Sequence, residues 1–122
     1  MQRVAVLGAS TDRSKFGNKA VRAFLQQGYS VFPVNPKAEF VEGIPAFPSV
    51  GELPDRPDVV SVYLPPPVLL GQLADIANVG CGELWLNPGT ATPEVMRQAQ
   101  SLGLKVVVDC SLLRIGVSPD EF

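Results

Sequence analysis

The chain has no histidine among its 122 residues. This absence removes the most common general base and most zinc sites, because imidazole is the side chain that usually serves both purposes. Positive charge is also in short supply, since ten Lys and Arg stand against twelve Asp and Glu, for a formal net charge of −2. A nucleic-acid partner requires clustered Lys and Arg against its phosphates. The composition therefore argues against a Ser-His-Asp hydrolase, a zinc enzyme and a nucleic-acid-binding protein.

Cysteine and long apolar runs are scarce as well. Cys81 and Cys110 match no metal-ligand spacing, and a domain of this length needs no disulfide, so we expect free thiols and no metal site. No apolar run is long enough to cross a bilayer, and the first strand begins almost at the first residue, without room for a signal peptide. We therefore expect one soluble, cytoplasmic domain over residues 1–122, with no membrane contact and a tail that is irregular from about residue 116.

Short apolar segments alternate with segments of helical spacing along the chain. Strands are predicted at residues 4–7, 30–34, 44–47, 59–64, 83–86 and 105–108. Helices are predicted at 18–27, at 68–79 and after the N-cap Thr92, and a capping box at 49–52 indicates one or two further helical turns.

This alternation is typical of an α/β fold, with a doubly wound parallel sheet covered by helices on both faces. Pro45 places the third strand at a sheet edge, because proline cannot donate a ladder hydrogen bond. Right-handed crossovers then favour the strand order 3-2-1-4-5-6.

The turn after the first strand is rich in small residues, and a helix follows it. Unpaired N–H groups and the helix dipole make such a position an anion site, so we expect a phosphate-bearing ligand. The turn does not match G-x-G-x-x-G, the dinucleotide-binding pattern. Ligands of doubly wound sheets lie at the carboxyl ends of the strands, which brings together the loops at 8–17, 35–37, 64–67 and 87–90. Candidate contacts on these loops include Ala9, Gly17, Asn87 and Pro88.

The end of the second strand helps to discriminate among phosphate ligands. NAD-binding folds usually have Asp or Glu there, whereas this chain has Asn35-Pro36-Lys37. A lysine suits an extra phosphate on the adenosine ribose, as in NADP or coenzyme A, although Lys37 is equally well explained as a solvated turn residue. The proline run 65–67 offers a stiff apolar wall for adenine or a pantetheine arm, or else marks the start of a helix.

Four segments, at 4–10, 28–36, 43–50 and 58–62, together resemble the stand-alone coenzyme A-binding protein family, which is similar to the N-terminal domain of succinyl-CoA synthetase α subunits. The resemblance extends to about Cys110 and implies a Rossmann-like fold that binds coenzyme A or an acyl-CoA. It implies that the pyrophosphate or pantetheine lies near Gly8, Ser10 and Lys15. It places the adenosine and its 3′-phosphate near Pro33, Asn35 and Lys37, and the cofactor's flank against Tyr63, Leu64 and Pro65.

The sequence shows no catalytic constellation. Asp58 precedes a predicted strand and Asp109 follows one, and both are best explained as turn and capping carboxylates. Cys110 is the one plausible nucleophile, and it either forms a mixed disulfide with the coenzyme A thiol or is an inert thiol. We therefore expect a non-catalytic coenzyme A-binding protein. Two alternatives stay open: an NADP-binding oxidoreductase fragment, for which the chain has no substrate domain, and a regulatory or ligase-like subunit that acts with a partner chain.

Overall fold

Five parallel strands form the central sheet of the computed structural model, which describes residues 2–122. The described residues contain these five strands and two short ones outside the central sheet, which are, in chain order, β1 (Arg3–Leu7), β2 (Ser30–Val34), β3 (Phe40–Val41), β4 (Ile44–Pro45), β5 (Val59–Val62), β6 (Glu83–Leu86) and β7 (Val106–Val108). The sheet has the order β2-β1-β5-β6-β7, and β3 and β4 form a separate antiparallel pair. Val6 of β1 is level with Pro33 of β2 and with Ser61 of β5, which fixes the register at the centre of the sheet.

Helices cover both faces of this sheet. They are α1 (Phe16–Gln26), α2 (Pro66–Leu70), α3 (Leu73–Val79), α4 (Pro93–Ser101) and α5 (Ser111–Arg114), with 3-10 turns at Val50–Glu52 and Pro119–Glu121. One core cluster joins the sheet to α1 and α5, and the other joins it to α2, α3 and α4. Residues 4–7 of β1 are completely buried, as expected for a central strand covered on both faces. The predicted α/β doubly wound class is confirmed.

The predicted strand order is wrong at its third strand, which does not join the central sheet. Residues 40–45 fold back on themselves through Glu42 and Gly43, both with positive φ, instead of extending along β2. The backbone N–H of Phe47 donates to the Pro33 carbonyl at 2.9 Å, which leaves one isolated bridge to β2. Pro45 has no N–H to add to such a ladder, so a sixth sheet strand does not form here. The order of the other five strands agrees with the prediction.

The helices also differ in detail from the predictions. The helix expected at 68–79 is two helices, because the Gln72 N–H donates to the Leu69 carbonyl at 2.9 Å and tightens the chain there. Ser49 makes no side-chain cap, so the predicted capping box is absent and only a 3-10 turn follows. The Thr92 hydroxyl does accept from the Val95 N–H, at 3.3 Å, and this predicted cap is confirmed.

The end of the chain is more ordered than predicted. Helix α5 was not predicted, and a 3-10 turn follows it at Pro119–Glu121. Val117 is buried, and Phe122 packs against the core cluster beneath α1 and α5. Within residues 2–122, every helix is too short or too polar to cross a membrane.

Candidate functional site

Two adjoining cavities lie at the carboxyl edge of the sheet. The larger has a volume of about 590 Å³ and is lined by the loops after β1, β5, β6 and β7. The smaller, of about 110 Å³, lies between the loops after β1 and β2. Gly8 and Leu64 line both cavities, so the turn after β1 and the residue after Tyr63 form their common wall. This edge is the one that the strand topology predicts for a ligand.

Close backbone contacts define the turn after β1. Gly8 has φ of +84°, and a Cβ added there would lie 2.6 Å from the Tyr63 carbonyl oxygen. A Cβ added to Gly17, in the first turn of α1, would lie 2.0 Å from the Gly8 carbonyl oxygen. The start of α1 therefore lies directly on the turn, at a distance that only glycine permits.

Side-chain hydrogen bonds hold the rest of this loop. The buried Asn18 amide donates to the Ser10 carbonyl at 2.9 Å, and its oxygen accepts from the Arg22 guanidinium at 2.7 Å. The Asp12 carboxylate accepts from both the hydroxyl and the N–H of Ser14, at 2.7 and 3.0 Å. These two bonds hold the pKa of Asp12 below its usual value. These hydrogen bonds hold the shape of the loop.

The start of α1 has free hydrogen-bond donors. No protein acceptor among residues 2–122 receives the backbone N–H of Phe16 or of Gly17, and both residues line the larger cavity. Lys15, at the N-cap position, has no side-chain cap, and its own exposed side chain lines the same cavity. Two N–H groups, the positive end of an eleven-residue helix and one ammonium therefore converge on one place. This arrangement favours an anion, in particular a phosphate.

The end of β2 is tied to the same turn. The Asn35 amide donates to the Ala9 carbonyl at 2.8 Å, and its oxygen accepts from the Lys37 and Ala38 N–H groups, at 2.7 and 3.0 Å. Asn35 and Ala9 both line the smaller cavity. The Lys37 side chain is exposed and lines neither cavity, and Pro33 is buried within β2. Asn35 thus positions two loops, and Lys37 is free to reach outward from the turn.

The far wall of the larger cavity rests on a buried polar network. The Asn87 amide donates to the Val62 carbonyl at 2.9 Å, and its oxygen accepts from the Ser111 N–H at 2.8 Å. The hydroxyls of Ser61 and Ser111 are 2.8 Å apart. Asn87 therefore joins the ends of β5 and β6 to the start of α5. Its amide group holds the walls in place and is already occupied by protein partners.

Tyr63 lies beside this network and also lines the larger cavity. Its hydroxyl is buried and makes no hydrogen bond within residues 2–122. Burial raises the pKa of Tyr63 to about 12, and the nearby hydroxyls of Ser61 and Ser111 offset this only in part. Tyr63 thus keeps its proton at neutral pH.

The two cysteines lie in different environments. Both are free and half-buried, and Cys110 lines the larger cavity at the N-cap of α5. Cys81 packs against the cluster on the opposite face of the sheet, where burial raises its pKa to about 11 despite the nearby Arg56. Across residues 2–122, no three potential metal-ligating His, Cys, Asp or Glu side chains come together.

The structure brings together most of the residues predicted from the sequence. Those that line the larger cavity are Gly8, Lys15, Gly17, Tyr63, Leu64, Pro65, Asn87 and Pro88. Ala9 and Asn35 line the smaller cavity, whereas Ser10, Pro33 and Lys37 line neither. The sequence interpretation missed several lining residues, namely Phe16, Val62, Thr90, Leu113 and Pro119 in the larger cavity and Pro48 and Gln72 in the smaller. Thr90 belongs to a predicted loop, but an exposed apolar residue such as Leu113 gives no sequence signal.

Known proteins share this architecture. A conserved hypothetical protein from Pyrococcus furiosus superimposes with a TM-score of 0.87 at 31% identity, over 93% of this chain and 99% of its own. An uncharacterized protein of Bacillus subtilis, YneT, is 25% identical over 88% of this chain and 80% of its own length. The alpha subunit of the acetate–CoA ligase (ADP-forming) II of Pyrococcus furiosus is 28% identical over 85% of this chain. The match spans only 25% of that subunit.

A family model agrees with these likenesses. The model is described as a CoA binding domain, and it matches residues 2–116, which include every loop of both cavities except the stretch around Pro119. The resemblance that the sequence suggested is therefore confirmed, and the chain belongs to the family of CoA-binding domains.

Proposed function

We propose that this chain is a non-catalytic coenzyme A-binding protein whose ligand lies along the carboxyl edge of the sheet. The observation that carries the proposal is the pair of free N–H groups on Phe16 and Gly17, beside Lys15, in the larger cavity and next to the Gly8 turn that both cavities share. A diphosphate at this point receives two backbone donors, the positive end of α1 and an ammonium. The ligand's two ends then extend in opposite directions, one into each cavity.

The smaller cavity suits the adenosine end. It is narrow and is bordered by Ala9, Asn35 and two prolines, Pro36 and Pro48, which offer flat apolar surface to a purine ring. Lys37 follows directly on the same turn, with its exposed ammonium available to a phosphate on the ribose. We propose that Lys37 binds the 3′-phosphate, that Pro33 supports this end of the site from β2, and that Ser10 lies near the pyrophosphate.

The larger cavity suits the pantetheine arm. Tyr63, Leu64 and Pro65 line it after β5, and Asn87 and Pro88 line it after the adjacent strand β6. The apolar walls match the methyl and methylene groups of the arm. A volume of about 590 Å³ falls within the range of sites that hold small organic ligands.

The lining of the larger cavity supports a binding role without catalysis. Among the described residues that line it, Lys15 has the only charged side chain, and no carboxylate is present to act as a general base. A second candidate function is favoured by the acetate–CoA ligase relative, of which this chain resembles a quarter. In that case the chain would present coenzyme A to a partner chain.

A calorimetric titration panel tests the proposed function. Coenzyme A, dephospho-coenzyme A, NADP and NAD are titrated into the same preparation, and thermal unfolding is followed in parallel. A ligand at one hundred times its dissociation constant adds about 2.7 kcal/mol to the free energy of unfolding. We expect the largest effect with coenzyme A, a smaller one with dephospho-coenzyme A and little with NAD. A larger effect with NADP than with coenzyme A would overturn the assignment.

A pair of lysine variants locates the diphosphate. Lys15→Ala removes the ammonium beside α1 and should lower the affinities for coenzyme A and dephospho-coenzyme A by the same factor. Lys105→Ala, just before β7 at the opposite edge of the sheet, removes the same charge and should change neither. Formation of acetyl-CoA by the chain alone, from acetate, ATP and coenzyme A, would show that the non-catalytic assignment is wrong.

A further inference from the structure

The larger cavity has its charge at one end only. Lys15 lies beside the start of α1, where the diphosphate is proposed to bind, and no other charged side chain among residues 2–122 lines the cavity. The remaining wall is dominated by apolar side chains, among them Val62, Leu64, Leu113 and Pro119. A ligand group that lies beyond the diphosphate therefore meets an uncharged environment.

The polar side-chain groups of that wall are bonded within the protein or, as for the Tyr63 hydroxyl, buried away from the cavity. The Thr90 hydroxyl donates to the Asn87 carbonyl at 2.6 Å, and the Asn87 amide is bound to Val62 and Ser111. The Tyr63 hydroxyl is shielded from the cavity by its own burial. A carboxylate placed here would lose its water without gaining a cation or a free side-chain donor, and that transfer is strongly unfavourable.

Two large apolar side chains at this wall remain exposed. Phe16 is 50% exposed and Leu113 is 60% exposed, and both line the cavity, on the neighbouring helices α1 and α5. Exposed apolar side chains that border one concave surface mark a place where an apolar group of a ligand can bind and cover them. Covering them stabilises a complex in proportion to the apolar area removed from water.

We propose that the larger cavity selects thioesters of coenzyme A whose acyl group is uncharged and apolar, against those with a free carboxylate. This inference rests on the proposed function, because it requires the diphosphate to bind at the start of α1. The acyl group then lies beyond the pantetheine arm, against the apolar residues of this wall such as Leu113. The selection comes from the absence of a partner for negative charge as much as from apolar contact.

The test compares thioesters of matched size. Free coenzyme A, acetyl-CoA, butyryl-CoA and succinyl-CoA are titrated calorimetrically into the same protein. Butyryl and succinyl groups have the same number of carbon atoms and differ at the terminal carboxylate. We expect butyryl-CoA to bind more tightly than acetyl-CoA, by up to about fourfold for each additional methylene. Succinyl-CoA should bind at least about tenfold more weakly than butyryl-CoA.

A variant pair connects the preference to this wall. Leu113→Arg places a cation in the cavity and should bring the affinity for succinyl-CoA up to or above that for butyryl-CoA. Leu102→Arg changes another exposed leucine, 41% exposed at the C-cap of α4 and outside the cavity lining. This control should retain the preference of the unmodified protein for butyryl-CoA.

The outcomes separate this inference from the proposed function. If coenzyme A binds and succinyl-CoA binds as tightly as butyryl-CoA, the selection is wrong and the coenzyme A site stands. Weaker binding of butyryl-CoA than of free coenzyme A would also overturn the selection, because the cavity would then exclude the acyl group. If none of the four compounds binds, the proposed function itself fails.

Discussion

Two glycines determine how closely helix α1 approaches the sheet. Gly8 and Gly17 lie in direct contact, with no space for a methyl group between them, because a Cβ on Gly17 would lie 2.0 Å from the Gly8 carbonyl oxygen. This contact holds the start of α1, with its free N–H groups, beside the turn that lines the larger cavity. Residue size at two positions thus decides whether the proposed anion site exists.

Gly17→Ala should therefore destabilise the fold. Alanine is favoured over glycine in a helix by about 1 kcal/mol, but the overlap with the Gly8 carbonyl opposes this gain. We expect the free energy of unfolding to fall by about 1–3 kcal/mol, as for other overpacked sites. Urea denaturation measures the change. Gly71→Ala is the matched control, since its Cβ would be 3.5 Å from the nearest atom, the Val68 carbonyl oxygen. Equal stability of the two variants would contradict the close contact.

Lys37→Ala tests the adenosine end of the site. Loss of one charge-assisted phosphate contact should reduce the binding free energy of coenzyme A by about 1.5–3 kcal/mol. Dephospho-coenzyme A lacks the 3′-phosphate, so its affinity should not change. Calorimetric titration of both ligands into both proteins measures the difference. Equal weakening of the two ligands would show that Lys37 binds elsewhere on the cofactor or acts through the fold.

The sequence predicts which loops form this site better than it predicts which side chains line it. The rule for parallel sheets brings the loops after β1, β2, β5 and β6 to one edge, and the structure has them there. The sequence does not reveal that the polar atoms of Asn87 are occupied by Val62 and Ser111. Nor does it show that Leu113, on a helix of four residues, reaches the cavity. These facts depend on tertiary contacts between segments far apart in the chain.

At the scale of elements, the two predicted N-caps provide a direct comparison. Thr92 accepts a hydrogen bond from the Val95 N–H and precedes Pro93 at the first position of α4, whereas Ser49 makes no cap bond. Thr92→Ala should lower the free energy of unfolding by about 1 kcal/mol, the usual cost of losing an N-cap. Ser49→Ala should change it by less than about 0.5 kcal/mol. Thermal and urea denaturation of both variants test this, and equal losses would contradict the difference in capping.

Prediction of the elements succeeded where burial on both faces leaves a clear pattern. The continuous apolar runs of β1 and β5 are completely or almost completely buried, and such runs are typical of central parallel strands. It failed at the helix pair α2 and α3, because Leu69, Leu73 and Ile76 keep helical spacing across the break and are all buried. Local hydrogen bonding at Gln72, rather than the apolar pattern, decides where the first helix ends.

At the scale of the whole molecule, two partly buried weak acids, Tyr63 and Cys81, lie on opposite faces of the sheet and both ionise more easily once the chain unfolds. Tyr63 packs against the cluster beneath α1 and α5, and Cys81 against the cluster beneath α3 and α4. Burial raises the pKa of Tyr63 to about 12 and that of Cys81 to about 11. The folded state therefore keeps both protons at a pH where the unfolded chain has lost them.

This difference predicts that alkaline pH destabilises the fold. The unfolded pKa values are about 9 for Cys and 10 for Tyr, so the folded protein binds more protons between pH 9 and 12 and its stability falls as the pH rises. Two pKa units on Tyr63 correspond to at most about 2.7 kcal/mol, and the more exposed Cys81 contributes less.

Urea denaturation between pH 8 and 11.5 measures how steeply the free energy of unfolding falls with pH. Tyr63→Phe should flatten it above pH 10 and Cys81→Ala above pH 9. Because the two residues lie on opposite faces and share no partner, the effects should add in the double variant. A Tyr63→Phe protein that loses stability as steeply as its parent would show that this hydroxyl ionises normally in the folded chain.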